Sequence, residues 1–217
     1  MDNLILNLVM TLGALILAIT VHEFSHVAMA KFLGDRTGEQ MGRLTLDPLK
    51  HIDPIWTVAL PAILIIASSA SSGGMPIFAA GKPSPYNPSF LRRKIFGKNV
   101  SGRAAEAWVA LAGPLSNLLM AFVCLLAVKY SGFALLGLFQ PLIVINVSLF
   151  VLNLIPVPPL DGSKILLAFL PYETAQRYEA FAPQLSWILL IALLFGGGAV
   201  VGYGVRTVLW GMSWLML

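Results

Sequence analysis

From Leu4 to Val21 the chain carries only apolar side chains apart from Asn7, Thr11, Gly13 and Thr20, and then sets three ionisable groups in five positions, His22-Glu23-Phe24-Ser25-His26. An apolar run of this length predicts a bilayer-spanning helix, because about 20 residues at 1.5 Å each cover a hydrocarbon core of about 30 Å. Ionisable groups inside such a segment are costly and default to a functional reading. Two histidines four apart share one helix face and can grip a single metal ion. Glu23, beside them, is placed to activate a water on that metal. The bland alternative is a chance match with solvated or capped histidines. Three polar groups at membrane depth need a compensating interaction, however, and a divalent cation supplies one.

Composition agrees with a membrane setting. Only 11% of the 217 residues are charged and 58% are hydrophobic, whereas soluble domains carry about 25% charge. The expectation is an all-α polytopic membrane protein, one compact bundle across 1–217. The start, Met1-Asp2-Asn3, lacks a basic n-region, and no small-residue cleavage site precedes His22. The first apolar segment is therefore expected to stay in the mature protein. Cys124 is the lone cysteine, which rules out an internal disulfide and suggests a buried, inert thiol. The net charge of +4 reads as membrane orientation, with no nucleic-acid partner.

In chain order, Leu4 to about Leu33 predicts a first helix of about 43 Å, ended by Gly34-Asp35, with the histidines nearer its C-terminal side. Residues 41–50 alternate polar and apolar, which predicts a short β-hairpin. It reads either as an ordinary surface hairpin or as an edge strand that pairs with extended substrate. His51 reads as solvated or hydrogen-bonded rather than as a ligand. Residues 55–69 are apolar, interrupted by Pro61 and short for a span, which favours a re-entrant helix. From Gly73 to Arg103 come Lys82, Arg92, Arg93, Lys94, Lys98 and Arg103 with no acid, a cytoplasmic signature. Ala104 to about Lys129 is a clear span containing Gly113 and Pro114. Asn117 within it reads as an interhelical hydrogen bond or, more weakly, as a substrate-binding group.

The fourth apolar segment, Phe133 to Ile155, ends in Asn153-Leu154-Ile155-Pro156-Val157-Pro158-Pro159-Leu160-Asp161-Gly162. Three prolines in four positions cannot continue a helix, so the backbone unwinds and sets a carboxylate at a fixed depth. Asp161 is the natural third ligand for two histidines, a set that leaves a zinc position open. It could equally serve as the N-cap of a helix 162–170. Asn146 and Asn153, seven apart, share a face, and Asn153 could bond a substrate backbone or an oxyanion. Pro171 to Pro183 predicts a short interfacial helix. The remainder, split by Gly196-Gly197-Gly198, reads as one broken helix or a hairpin of two. Trp187, Trp210 and Trp214 suit membrane interfaces, and Arg206 reads as snorkelling.

With His22-Glu23-x-x-His26, Ala112-Gly113-Pro114 and Asn153-x-x-Pro156-x-Pro158-x-Leu160-Asp161-Gly162 in this order, the chain resembles the site-2 protease family of intramembrane zinc metalloproteases, from about residue 10 to 170. It is most similar to the short prokaryotic subgroup without a PDZ domain. The resemblance implies one Zn2+ per chain held by His22, His26 and Asp161, with Glu23 as general base and Asn153 facing the peptide. It implies a three-helix core over about 4–33, 104–130 and 135–170, interrupted by an insertion at 55–103 and followed by C-terminal helices from 171 to 217. The implied partners are the bilayer and single-span membrane protein substrates cut in regulated intramembrane proteolysis. The implied site is an integral membrane protein of a prokaryotic plasma membrane, its active site toward the cytoplasm. A proteolytically inactive zinc scaffold and a metal transporter are the rivals. An intact Glu23 counts against the first and a single compact ligand cluster against the second. Oligomeric state is not legible.

Overall fold

Helix α1 runs unbroken from Asp2 to Phe32 because no proline interrupts the ladder and the hydroxyls around the histidines bond back to the helix. Thr20 Oγ1 donates to Ile16 O and Ser25 Oγ to Val21 O, both at 2.7 Å, so neither hydroxyl faces lipid unsatisfied. The computed structural model describes residues 2–70, 81–95, 98–193 and 198–214. The chain leaves α1 at Gly34, whose φ of +108° suits glycine.

Among the described residues, three helices are long and apolar enough to cross a membrane: α1, α4 (Gly102–Tyr130) and α5 (Leu136–Asn153). Helix α4 lies at the centre, packed against α1, α5 and α6 (Asp161–Leu167). Its buried residues include Ala105, Val109, Gly113, Asn117, Ala121, Cys124 and Val128. They recur every three or four positions and are mostly small, which lets neighbouring backbones approach closely. Large apolar residues such as Leu119 and Val123 are exposed, as expected where lipid rather than protein is the neighbour. The all-α membrane fold read from the sequence is the fold observed. Cys124 is buried, among Val128 and Ile143.

Among the described residues, α6 is followed by α7 (Tyr172–Ala180), α8 (Ala182–Ala192) and α9 (Gly198–Trp214). Helix α9 packs on α5 through Val205, Met212 and Val147. Pro171–Pro183 thus contributes a short polar helix, and the described part of the last apolar stretch is helical on both sides of 194–197. Gly196 and Gly197 lie outside the described residues.

The region between α1 and α4 departs from expectation. Residues 41–50 form no strand. The short helix α2 (Thr37–Gln40) gives way to a turn at Gly42, φ +69°, and a 3-10 turn Pro48–Lys50. The competing bonds explain the error: Asp47 N–H donates to Thr45 Oγ1, Leu49 N–H to Asp47 Oδ1, and the His51 ring bonds Thr45 O. Thr and Asp side chains here capture backbone groups that a ladder would need. Met41, Leu46 and Leu49 point outward, so the alternation did not mark a buried face. His51 is buried on that one bond, as expected of a hydrogen-bonded histidine. Segment 55–69 is helical, a π turn Pro54–Ala59 running into α3 (Leu60–Ala70). Pro61 takes one donor out of the ladder just after the π turn. The hairpin that does exist pairs β1 (Arg92–Ile95) with β2 (Lys98–Ser101), Arg92 opposite Ser101, in the stretch that composition had marked only as a basic loop. Residues 71–80, including Pro76 and the small polar tail after Ala70, lie outside the described residues.

Candidate active site

His22 and His26, one turn apart on α1, both turn toward α4, and the approach is close because Gly113 stands between them and the α4 backbone. A Cβ at Gly113 would fall 2.5 Å from His26 Nε2 and 2.7 Å from His22 Cε1. Any larger residue there would displace both rings.

Each ring is oriented from behind. His26 Nδ1 lies 2.7 Å from Val109 O, a backbone carbonyl that can only accept, so Nδ1 carries the proton. His22 Nδ1 lies 2.6 Å from Asn117 Oδ1. The tautomer follows from a relay of amides: Asn146 Nδ2 donates to Leu142 O, and Asn117 Nδ2 donates to Asn146 Oδ1 at 2.8 Å and to Ala18 O at 3.1 Å. Two backbone carbonyls therefore fix both amide orientations. Asn117 Oδ1 must face His22, and His22 Nδ1 must donate. With Nδ1 donating in both rings, each Nε2 is left facing forward, where its lone pair can ligate a metal ion.

Asp161 meets them. The chain unwinds after Asn153 through Pro156, Pro158 and Pro159, then enters α6 with Asp161 as its first residue. Leu160 holds the cap position without a side-chain bond, so Asp161 is not the cap of this helix. Gly162 permits the fold-back, since a Cβ there would lie 2.5 Å from both Leu154 O and Ile155 O. Tyr178 donates to Pro156 O at 2.8 Å, and Arg103 donates to Leu167 O and Leu170 O at the other end of α6. Asp161 Oδ2 sits 3.2 Å from His22 Nε2 and 3.3 Å from His26 Nε2.

Two lone pairs and a carboxylate oxygen facing one another, all within 4.8 Å, repel unless a cation lies among them. Asp161 Oδ2 is buried without a hydrogen-bond partner, and a buried oxygen left so is costly. Nitrogen and oxygen donors in this number suit zinc with an open position, and the bonds at both Nδ1 atoms are of the kind that orient metal-ligating imidazoles. The residues present fit a zinc ion.

The three groups border a cavity of about 300 Å³. Ile19 and Glu23 line it from α1, Val109 and Ala110 from α4, Leu149, Leu152 and Asn153 from α5, and Lys164 from α6; the remaining wall is Pro159 and Leu160 before α6, and Gly81, Pro83, Ser84 and Tyr86. Asn153 lies at the cavity with one amide N–H donating to Leu149 O. Asn117 does not reach it. It is fully buried behind His22, its oxygen and both amide hydrogens engaged, so its expected contact with substrate is replaced by the interhelical alternative. Residues 41–50 are likewise absent from the cavity wall. Sequence reasoning missed Asn146 as a relay partner and Ser84, whose hydroxyl bonds Glu23. A polar residue on an apolar helix face flagged the first; nothing flagged the second.

The family model described as Peptidase family M50 matches residues 131–196. Among curated relatives, a Bacillus subtilis (strain 168) protein named "Putative zinc metalloprotease YwhC" is 33% identical over 72% of this chain and 67% of its own length. The Mycolicibacterium smegmatis protein named "Putative zinc metalloprotease Rip2" is 32% identical over 86% of this chain and 66% of its own length. Its Mycobacterium tuberculosis (strain H37Rv) namesake is 28% identical over 93% of the chain and 72% of its own length. The chain therefore spans about two thirds of the length of the first relatives it matches. No solved structure gives a significant match.

Proposed function

The chain belongs to peptidase family M50, and from that premise we propose that it is an intramembrane zinc metalloendopeptidase cutting peptide bonds within transmembrane segments of single-span substrates, as in regulated intramembrane proteolysis. The observation that carries the proposal is the convergence of His22 Nε2, His26 Nε2 and the unpartnered Asp161 Oδ2 beside a cavity that also holds Glu23. His22, His26 and Asp161 would hold one zinc ion per chain. When bound, zinc supplies Lewis acidity, polarising a carbonyl and bringing the pKa of water toward about 7.

The chain's own groups do the rest. Asn117 and Val109 O keep both imidazoles in the ligating tautomer. Glu23 accepts the proton of the attacking water and returns it to the leaving amine. Asn153 offers its amide oxygen and second amide hydrogen to the peptide backbone at the cavity. The apolar wall from Ile19, Leu149 and Leu152 suits a membrane-derived segment. Peptide groups in an intact helix are already hydrogen-bonded, so the substrate must unwind to reach the site. The cavity wall at 81–86 belongs to the same connection as the basic residues of 82–103, which supports a cytoplasm-facing site in a prokaryotic plasma membrane. Glu23→Gln is expected to abolish cleavage of a single-span model substrate, by about a thousandfold or more, while zinc content stays at that of wild type. Cleavage by the purified, metal-loaded variant would defeat the assignment. A transporter or inert scaffold would show no chelator-sensitive proteolysis in wild type.

A further inference from the structure

The segment Gly81–Phe90 supplies Gly81, Pro83, Ser84 and Tyr86 to the cavity wall, and its backbone hydrogen bonds to the rest of the chain are few. Outside the site it is clamped where Lys82 N–H donates to His51 O at 2.7 Å and Asn87 N–H to Asp35 Oδ2 at 2.8 Å, and just beyond, where Arg92 N–H donates to Leu33 O at 2.8 Å. Between the clamps, Ser84 Oγ lies 2.7 Å from Glu23 Oε2 and 2.9 Å from Glu23 O. Both Glu23 atoms are acceptors, so the single hydroxyl hydrogen points to the carboxylate or is shared between the two.

We propose that Ser84 is the positioning residue of the general base. The inference rests on the reading of Glu23 given above. Glu23 follows His22 directly, so its Cβ leaves α1 about 100° around the axis from the ligand's. A long, flexible side chain must bend back to reach the metal centre. The Ser84 hydroxyl holds one carboxylate oxygen by a charge-assisted bond, leaving the other as the proton acceptor. Ser84 is the only side chain that donates to Glu23 among the described residues. Gly81 keeps the second oxygen clear, since a Cβ there would lie 3.2 Å from Oε1. The strap thus acts on the reaction through Glu23 without touching a metal ligand.

The test uses the full-length chain, zinc-loaded in proteoliposomes with a single-span substrate. Ser84→Ala is expected to lower kcat about ten- to hundredfold with KM within about twofold and zinc content unchanged, and Ser84→Thr, which keeps the hydroxyl, should restore kcat to within about fivefold. In metal-free protein, the Glu23 carboxylate stretch, isolated as the infrared difference between wild type and Glu23→Gln, should shift in Ser84→Ala and return in Ser84→Thr. A Ser84→Ala kcat within twofold of wild type overturns the proposal. So does a kcat above wild type, which would make the strap a brake. Loss of zinc or folding in Ser84→Ala together with failure of Ser84→Thr to recover kcat also overturns it, by reducing Ser84 to a structural part. Should Glu23→Gln still cleave, the general-base reading fails whatever Ser84 does. Should Glu23→Gln be inactive and Ser84→Ala normal, only the present inference fails.

Discussion

The helical cradle and the strap border the same cavity but are held in different ways. In the cradle, α1, α4, α5 and α6 meet through small side chains and a buried amide relay, and both imidazoles are braced from α4, His22 by Asn117 and His26 by Val109 O. In the strap, irregular backbone is fixed at a few points by single hydrogen bonds, with Tyr86 as an anchoring side chain against Glu106, Lys164 and the cluster around Leu33 and Val109. A close-packed region transmits a local change to everything it touches, whereas a point-clamped one yields at the clamp. The metal centre should therefore be sensitive to substitutions in the cradle and indifferent to those in the strap, which should alter turnover alone.

The sharpest break of this contrast is Gly113→Ala. One methyl group would enter space already occupied by both imidazoles. Neither ring can retreat without losing its bond to Val109 O or Asn117. Zinc affinity, measured by chelator competition, should fall by about a hundredfold or more, and cleavage with it. Retention of wild-type affinity would show the cradle to be softer than its packing implies.

Asn117→Leu comes next. It keeps similar bulk but removes the acceptor of His22 Nδ1–H and the donor to Asn146. A weakening of zinc binding by about 10- to 100-fold is expected, with a loss of stability of about 1–3 kcal/mol from the stranded buried polar groups, read as a fall in Tm. Unchanged zinc affinity would mean that the α1–α4 packing alone sets the ring.

These two residues also show how far the sequence could be read. The spacing of His22 and His26 is a local property of a helix, and the proline run that ends α5 is a local property of backbone chemistry, so both were legible. That Asp161 returns to within 3.3 Å of the histidines depends on how α6 packs against α4. No spacing encodes that: the residues left Asp161 evenly placed as third ligand or as helix N-cap, and the family resemblance tipped the balance. Asn117 was visible as a polar residue in an apolar span, but which partner it takes is set by helix rotation across the α1–α4–α5 contact. The strap was illegible for a further reason. The bond between Ser84 and Glu23 spans 61 positions, and in 41–50 short-range Thr and Asp bonds overrode a strand-like alternation.

Asp35→Asn tests the strap side. One Asp35 oxygen accepts Thr37 N–H and the Thr37 hydroxyl, and the other accepts Asn87 N–H. The amide keeps the shape but must set an NH2 donor against one of those donors, loosening the Asn87 clamp. Zinc content should equal wild type, kcat should fall by about three- to tenfold as the Ser84 contact loosens, and limited chymotrypsin digestion after Tyr86 should accelerate. Loss of zinc here would erase the distinction between the two regions.

The smallest effect is expected at the α1–α2 corner, outside both. Arg36 and Lys31 each bond Glu39 at 2.7 Å and hold its carboxyl down, Arg36 foremost, to about 2. A depressed folded pKa stabilises above the unfolded carboxyl value of about 4.3. That contribution is lost as pH falls through about 2, where the folded carboxylate also takes a proton. The pair is solvent-accessible and screened, so Glu39→Gln should lower Tm at pH 7 by no more than about 2 °C. The difference from wild type should shrink between about pH 4 and pH 2 and under high salt. Zinc content and kcat should not move, because neither the ligands nor the strap clamps touch Glu39. A kcat change at this corner would mean that strain passes from α2 into α1 as far as Glu23, and that the connection after α1 acts as part of the cradle.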